Sequence, residues 1–314
     1  MLKTKSFTWF AACLTLLLSS PLSRLVGAPH EIQPGDPAQL VAAPKGFEIG
    51  HVPIATRQTP LGFPRMTMWW PYWKSSSPER VAAVINDLVA MHQSGVVLMG
   101  MQWGNKYALP PDDRLRTYLQ MFVNAGIRPY LGLWVNPLTQ AEADTAVRAW
   151  EAGDGLWRGI VLDAEAGWKR LVDTNPQQAG TNFAAFMARI RPLTPLLAYA
   201  PYGVPSFHRS YNYNLWNNVC DLCLPQIYFS GGQKDAAYIL NRAFRSFSTE
   251  SQSWDRPAIP MVPLGNLYST NADAAARQVY ADKSLQEKGA VSWWRYPVEN
   301  PAVRAMLATI PRDP

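Results

Sequence analysis

From residue 65 onward the chain repeats one pattern. Apolar runs of six to eight residues alternate with stretches in which apolar positions recur every three or four. The first pattern fits strands buried on both faces, the second fits helices with one covered side. Eight runs predict strands: 66–73, 96–103, 128–135, 159–165, 195–200, 222–229, 258–264 and 290–295. Helices are predicted between them. Ser77-Pro78-Glu79 opens one that reaches about Gln93, with Ser as cap and Pro at the first helical position. Others cover 113–124, ending at Gly126, and 140–150, ending near Gly153. Segments 181–190, 235–247, 272–287 and 301–310 complete the set, while 206–219 is aromatic and irregular. Eight strand–helix units in about 250 residues predict an α/β fold of the (β/α)8 TIM-barrel type. An open doubly wound sheet rarely keeps such even spacing.

Residues ahead of the barrel read differently. Lys3 and Lys5 precede an apolar stretch from Phe7 to Leu18, and small residues follow at Val26-Gly27-Ala28. This order is that of a secretory signal over 1–28, with cleavage after Ala28 and a secreted or periplasmic destination. The apolar run is too short to span a bilayer, so no stable membrane insertion is expected after cleavage. Residues 29–63 are Pro-rich and weakly periodic and predict an extended N-terminal arm; the barrel domain takes 64–314.

Composition narrows the function classes. The 314 residues are 48% hydrophobic and 17% charged, which excludes global disorder. The formal charge of +6 falls to +3 once the leader's three cations go, and no Lys/Arg run exists. Nucleic acid is therefore not an expected partner. Cys220 and Cys223 remain after cleavage; lacking a nearby His, they predict a short disulfide or two buried thiols rather than a zinc site. His30, His51, His92 and His208 are not spaced for a metal, and no glycine-rich phosphate loop follows a strand. No metal or cofactor is expected.

A barrel places its chemistry at the C-terminal strand ends. Here those ends carry Trp69-Trp70-Pro71-Tyr72, Gln102-Trp103, Trp134-Val135-Asn136, Tyr199-Ala200-Pro201-Tyr202, Gln226-Ile227-Tyr228, Asn266-Leu267-Tyr268 and Trp293-Trp294-Arg295. Aromatic faces stack on the C–H faces of sugars, and amides bind hydroxyls. Trp70, Gln102, Trp103, Trp134, Asn136, Tyr199, Tyr202, Gln226, Trp294 and Arg295 are thus candidate substrate-binding residues. About half of these rings are expected to serve packing instead.

Strand 159–165 ends Asp163-Ala164-Glu165, the acidic pair of the strand ends. Residues two apart share a face, so both acids point into the barrel or neither does. Side by side on an apolar wall, one of them should hold its proton near neutrality. Glu165, nearer the mouth, is the expected proton donor and Asp163 its orienting partner. Carboxylates are missing from most other strand ends. That favours a substrate-assisted route, in which a sugar's own 2-acetamido group attacks C1. Asp163 would steady that group and Tyr228 donate to its carbonyl oxygen.

Asp163-Ala164-Glu165 resembles the Asp-x-Glu of chitinase-like (family 18) and lysozyme-like (family 25) glycoside hydrolases. Pro225-Gln226-Ile227-Tyr228 is similar to a Gln/Met-x-Tyr segment of those barrels, and Gly289-Ala290-Val291-Ser292-Trp293-Trp294 to their last strand. The resemblance covers about 65–311 and implies Glu165 as catalytic acid. The chitinase pattern carries two further Asp where this chain has Val161 and Arg158; the lysozyme-like family opens with an Asp where this chain reads Met66-Thr67-Met68-Trp69-Trp70. Three functions follow as expectations. The first is an exported glycoside hydrolase acting on a polysaccharide, with an N-acetylhexosamine polymer (chitin-like or peptidoglycan) as candidate substrate. The second is a non-catalytic, glycan-binding barrel, a degenerate glycosidase. The third is a lyase or esterase on the same scaffold.

Overall fold

The computed structural model describes residues 62–102, 106–229, 236–268 and 274–313. The expected signal segment lies outside them, as does the arm apart from Gly62 and Phe63.

Eight parallel strands form a ring. They are β1 (Met66–Trp70), β2 (Gly95–Gln102), β4 (Arg128–Val135), β5 (Ile160–Ala164), β6 (Leu197–Ala200), β7 (Leu222–Cys223), β8 (Leu264–Asn266) and β9 (Val291–Trp294). Neighbours pair in the order β7-β6-β5-β4-β2-β1-β9-β8. Closure comes where β7 meets β8, through parallel bridges Cys223–Met261 and Gln226–Leu264. A two-residue strand, β3 (Lys106–Tyr107), folds back antiparallel on the end of β2. The jacket comprises α1 (Pro78–Ala90), α2 (Asp112–Asn124), α3 (Gln140–Glu151), α4 (Ala166–Thr174), α5 (Pro176–Ile190), α6 (Tyr213–Val219), α7 (Ala236–Glu250), α8 (Ala274–Lys288) and α9 (Pro301–Leu307). The arrangement is the expected (β/α)8 barrel. No helix of the described residues is long and apolar enough to cross a membrane.

Strand alternation divides the apolar residues into two cores. Trp69, Val97, Met99, Tyr130, Val161, Ala198, Leu222, Leu264 and Ala290 fill the barrel interior. Met68, Trp70, Val96, Leu98, Leu131, Leu133, Leu162, Tyr199, Val291 and Trp293 face the helices. Inside, large and small residues complement each other. Gly132 lies where a methyl group would meet Met99 Sδ and Val97 Cγ1. Ala198 and Ala200 on β6 are equally slim. That leaves room for Trp69, whose indole N–H donates to Ser292 Oγ at 2.9 Å. At the N-terminal end of the barrel Phe63 packs on Tyr130, ring centroids 5.1 Å apart.

Helix starts follow local chemistry. Ser77 Oγ accepts from Arg80 N. Thr139 and Glu142 form a reciprocal capping box at α3. Between β5 and β6 the sequence pattern predicts one helix at 181–190, but the structure has two. Asn175 accepts from Gln178 N at 3.1 Å and Pro176 takes the first helical position, so α5 begins afresh there. The sixth and seventh predicted strands shrink and shift for a related reason. Pro225, Pro260 and Pro263 have no N–H to give to a ladder, so regular pairing of β7 stops at Cys223 and β8 begins only at Leu264. The irregular stretch 206–219 resolves into short 3-10 turns and α6. Cys220 and Cys223 are two free, buried thiols, the second of the two states expected for them.

Candidate active site

The inward face of β5 carries Val161 and then Asp163, and Glu165 follows where the strand turns into α4. Asp163 pairs in register with Trp134 on β4 and Ala200 on β6. It is only 7% exposed, whereas Glu165 is half-buried at the mouth. The Nε2 of Gln226 donates to Asp163 Oδ1 at 2.9 Å. Burial pushes the Asp163 carboxyl well above the usual carboxylate range; the charge of Glu165 pushes the same way, and the Gln226 hydrogen bond offsets only part of this. Its depth below the mouth is what costs the ionised Asp163 its hydration.

Among the described residues neither acid takes part in an ion pair. Arg295, which follows β9, turns aside. Its guanidinium donates to Tyr72 Oη at 2.7 Å and sits 4.9 Å from the centre of that ring.

Two phenols complete the polar wall. Burial raises the pKa of Tyr228, after β7, and the neighbouring Asp163 and Glu165 push the same way. Tyr202, after β6, is shifted the same way by burial and then by Glu165 and Asp163. Each is thus fixed as an O–H donor beside the acids. His208 stacks flat on Tyr202, centroids 4.0 Å apart. Burial and the charge of Lys169 lower its pKa.

The segment bearing the acids is held from behind. The Tyr211 hydroxyl donates to the Ala164 carbonyl, between the two acids, at 2.9 Å. Tyr211 belongs to an aromatic block with Trp168, Phe183, Tyr199 and Trp216. Asn136 packs its side chain against Gly167, where any Cβ would overlap it.

The candidate residues thus divide. Asp163, Glu165, Gln226, Tyr202 and Tyr228 come together, with Trp134 and Trp294 in the same inward layer. Trp294 meets Trp69 edge-on at 5.6 Å. Asn136 stands beside the start of α4. Gln102 lies at the rim, its amide donating to Pro71 O. Trp103 lies outside the described residues. Trp70 and Tyr199 need correcting. Both are buried on the helix side, Trp70 against Trp73, Phe122 and Tyr296, and Tyr199 flat on Trp216. Each sits one residue from an inward-facing neighbour, and strand alternation sends it outward. Sequence reasoning passed over His208, whose position on a loop gave no sign that it would lie on Tyr202. It also passed over Phe207, and left Tyr72 and Tyr268, noted at their strand ends, outside the candidate set. These exposed rings stand on the loops after β1, β6 and β8, all at the mouth end.

No family model matches the chain, and no curated protein is similar to it in sequence. Its fold is nevertheless similar to solved structures. One is the spore cortex-lytic enzyme SleL of Bacillus megaterium QM B1551, with TM-score 0.53 and 10% identity over 78% of this chain and 73% of that one. A second is a chitinase from Chromobacterium violaceum ATCC 12472, with TM-score 0.51 and 9% identity over 80% and 100%. A third is an endo-β-1,4-mannanase from Thermotoga petrophila, with TM-score 0.52 and 11% identity over 79% and 76%. At such identities the likeness establishes the fold alone: this is a barrel of the architecture that glycoside hydrolases use.

Proposed function

We propose that the protein is an exported glycoside hydrolase acting on a polysaccharide, with Glu165 as general acid and Asp163 as supporting carboxylate. The observation that carries this is the acid pair itself. Two carboxyls stand at the C-terminal end of a barrel strand, facing inward, unpaired with any described cation, among Trp134, Trp294, Tyr202 and Tyr228. The solved barrels with the same architecture, a cortex-lytic enzyme, a chitinase and a mannanase, support a glycan substrate.

The chemistry follows from the positions. Glu165 gives its proton to the glycosidic oxygen as the C1–O bond breaks. On an N-acetylhexosamine the 2-acetamido oxygen closes on C1, with Tyr228 donating to that oxygen and Asp163 steadying the group. Water then opens the ring intermediate, returning a proton to Glu165.

A second reading has its own support. Val161 and Arg158 stand where the chitinase-like pattern carries acids, which favours a barrel that binds glycans without cleaving them. Reducing-end release from chitin oligosaccharides and cell-wall glycan separates the two. Cleavage by the wild type should fall by about 10²–10⁴ in Glu165→Gln with binding retained, the usual contribution of one acid–base group. An unchanged rate in that variant removes Glu165 from the mechanism. Binding without any wild-type turnover establishes the non-catalytic reading.

A further inference from the structure

Beside the barrel mouth, residues of the loop after β1, the end of β2 and β3 line an open cavity of about 540 Å³. Pro71, Tyr72, Lys74, Gln102, Lys106 and Tyr107 are among its lining residues. Two of these are lysines, and none of the described residues lining it is an acid. Lys74 Nζ donates to the Tyr107 carbonyl at 2.9 Å, tying the loop after β1 to β3. Lys106 is exposed and forms no ion pair with a described residue. Two arginines flank the cavity. Arg295 holds the Tyr72 ring, and Arg148 lies 4.0 Å from the centre of the Tyr107 ring. Asp112, which accepts from the Tyr107 hydroxyl at 3.3 Å, is the carboxylate at this edge. Four cations against one acid leave the cavity positive. Tyr72, 65% exposed, offers a ring face of the kind on which a pyranose stacks.

Its position fits a subsite remote from the bond that is cleaved. β1 lies three strands round the ring from β5, about 14 Å at the usual strand spacing. A polysaccharide lying across Glu165 therefore reaches this groove several sugar units away.

We infer that this groove is a subsite for a carboxylate-bearing sugar, so that the substrate is an acidic rather than a neutral glycan. Lys74 and Lys106 meet the carboxylate, and Tyr72, braced by Arg295, stacks on the ring that bears it. The inference rests on the glycan-binding reading and narrows it. Two sources share the chemistry: a uronic acid, with its carboxylate on the ring, and a lactyl-bearing cell-wall sugar.

Equilibrium binding to the full chain tests this with three probes: oligogalacturonate, peptide-free cell-wall glycan strands and neutral chitohexaose. At least one acidic probe should bind about tenfold more tightly than chitohexaose at low salt, and that advantage should shrink at high salt. It should also shrink at least fivefold in Lys74→Gln/Lys106→Gln. Lys106→Gln alone, which leaves the loop-tying hydrogen bond in place, should lose part of it. Which acidic probe wins identifies the source of the carboxylate. Acidic probes binding no better than chitohexaose, or an advantage that survives in the double variant, overturns the subsite while leaving the glycan-binding reading intact. Failure of all three probes to bind, with no turnover, overturns both.

Discussion

Asp163, proposed to support catalysis, sits where its carboxyl weighs against the fold. A buried carboxyl with a raised pKa favours folding fully only below the pKa of the unfolded chain, about 3.9. As pH rises from there toward its folded value, the unfolded chain gains by ionising while the folded one does not, and stability drains away. Replacing Asp163 by Asn keeps the shape and an oxygen for the Gln226 amide but removes the titration. Asp163→Asn should therefore be more stable than wild type at pH 8 by roughly 1–3 kcal/mol, the scale of a buried polar group poorly matched to its surroundings. The gap should narrow toward pH 4, and glycan cleavage should be lost throughout. Thermal unfolding followed across that pH range checks it. A wild-type protein as stable as the variant at pH 8 would mean that Asp163 is not destabilising where it sits. The same residue marks what the sequence could and could not reveal about the site. That Asp163 and Glu165 share a wall, and that one should stay protonated, follows from a two-residue spacing on an apolar strand. How strongly burial raises the Asp163 carboxyl depends on depth beneath the mouth, and depth is set by where β5 gives way to α4. Trp70 and Tyr199 were placed in the pocket because every strand end was treated as a cluster, although strand parity sends them behind the wall.

At the scale of elements, helices with strong caps were legible and proline-laden strands were not. Ser77-Pro78 and the Thr139–Glu142 pair announce α1 and α3 because their signals are local. The pairing of β7 and β8 depends on which N–H groups survive between Pro225, Pro260 and Pro263 and on what lies across the seam, which a single strand's pattern does not contain. The junction of β5 with α4 is the element boundary that most concerns function. Gly167, in the first turn of α4, has no Cβ where Asn136 from the end of β4 presses in. Helix propensity alone favours Gly167→Ala by about 1 kcal/mol. Overlap with the Asn136 side chain, whose Cβ is itself among the nearest atoms, opposes it by about 1–3 kcal/mol. The clash should win. Gly167→Ala is expected to lower the unfolding temperature by about 2–4 °C. Combined with Asn136→Gly it should recover the helix benefit, giving a favourable coupling in the double-mutant cycle. Additive effects would show that the two residues do not touch.

A closed barrel must also fasten its first unit to its last. The register between β1 and β9 does this within the sheet, with Met66 opposite Val291 and Trp69 opposite Trp294. A second clasp lies in the jacket. Asp87 on α1 accepts from both terminal nitrogens of Arg304 on α9, at 2.6 and 3.1 Å, and from the Tyr296 hydroxyl at 2.8 Å. These partners are 217 and 209 residues away in sequence, so the clasp closes nearly the whole domain. Arg304 holds the Asp87 carboxyl below its ordinary range, with the Tyr296 bond and the charge of Arg80 helping and burial opposing. The sign follows from that direction. A depressed carboxylate contributes stability above its unfolded pKa and loses it as pH falls through the folded value. Both partners are about a third exposed, so solvent screens the pair and the contribution is about 1 kcal/mol rather than that of a buried ion pair. Asp87→Asn should therefore lower the unfolding temperature by about 2–4 °C at pH 7 and by progressively less below pH 4. This is the opposite pH trend to that expected of Asp163→Asn. Arg304→Met in the Asp87→Asn background should add little, because the bond it would break is already gone. Hydrolysis, if it occurs at Glu165 on the far side of the ring, should keep its pH profile in Asp87→Asn. A shifted profile would show that fastening the barrel's ends also sets the electrostatics of its mouth.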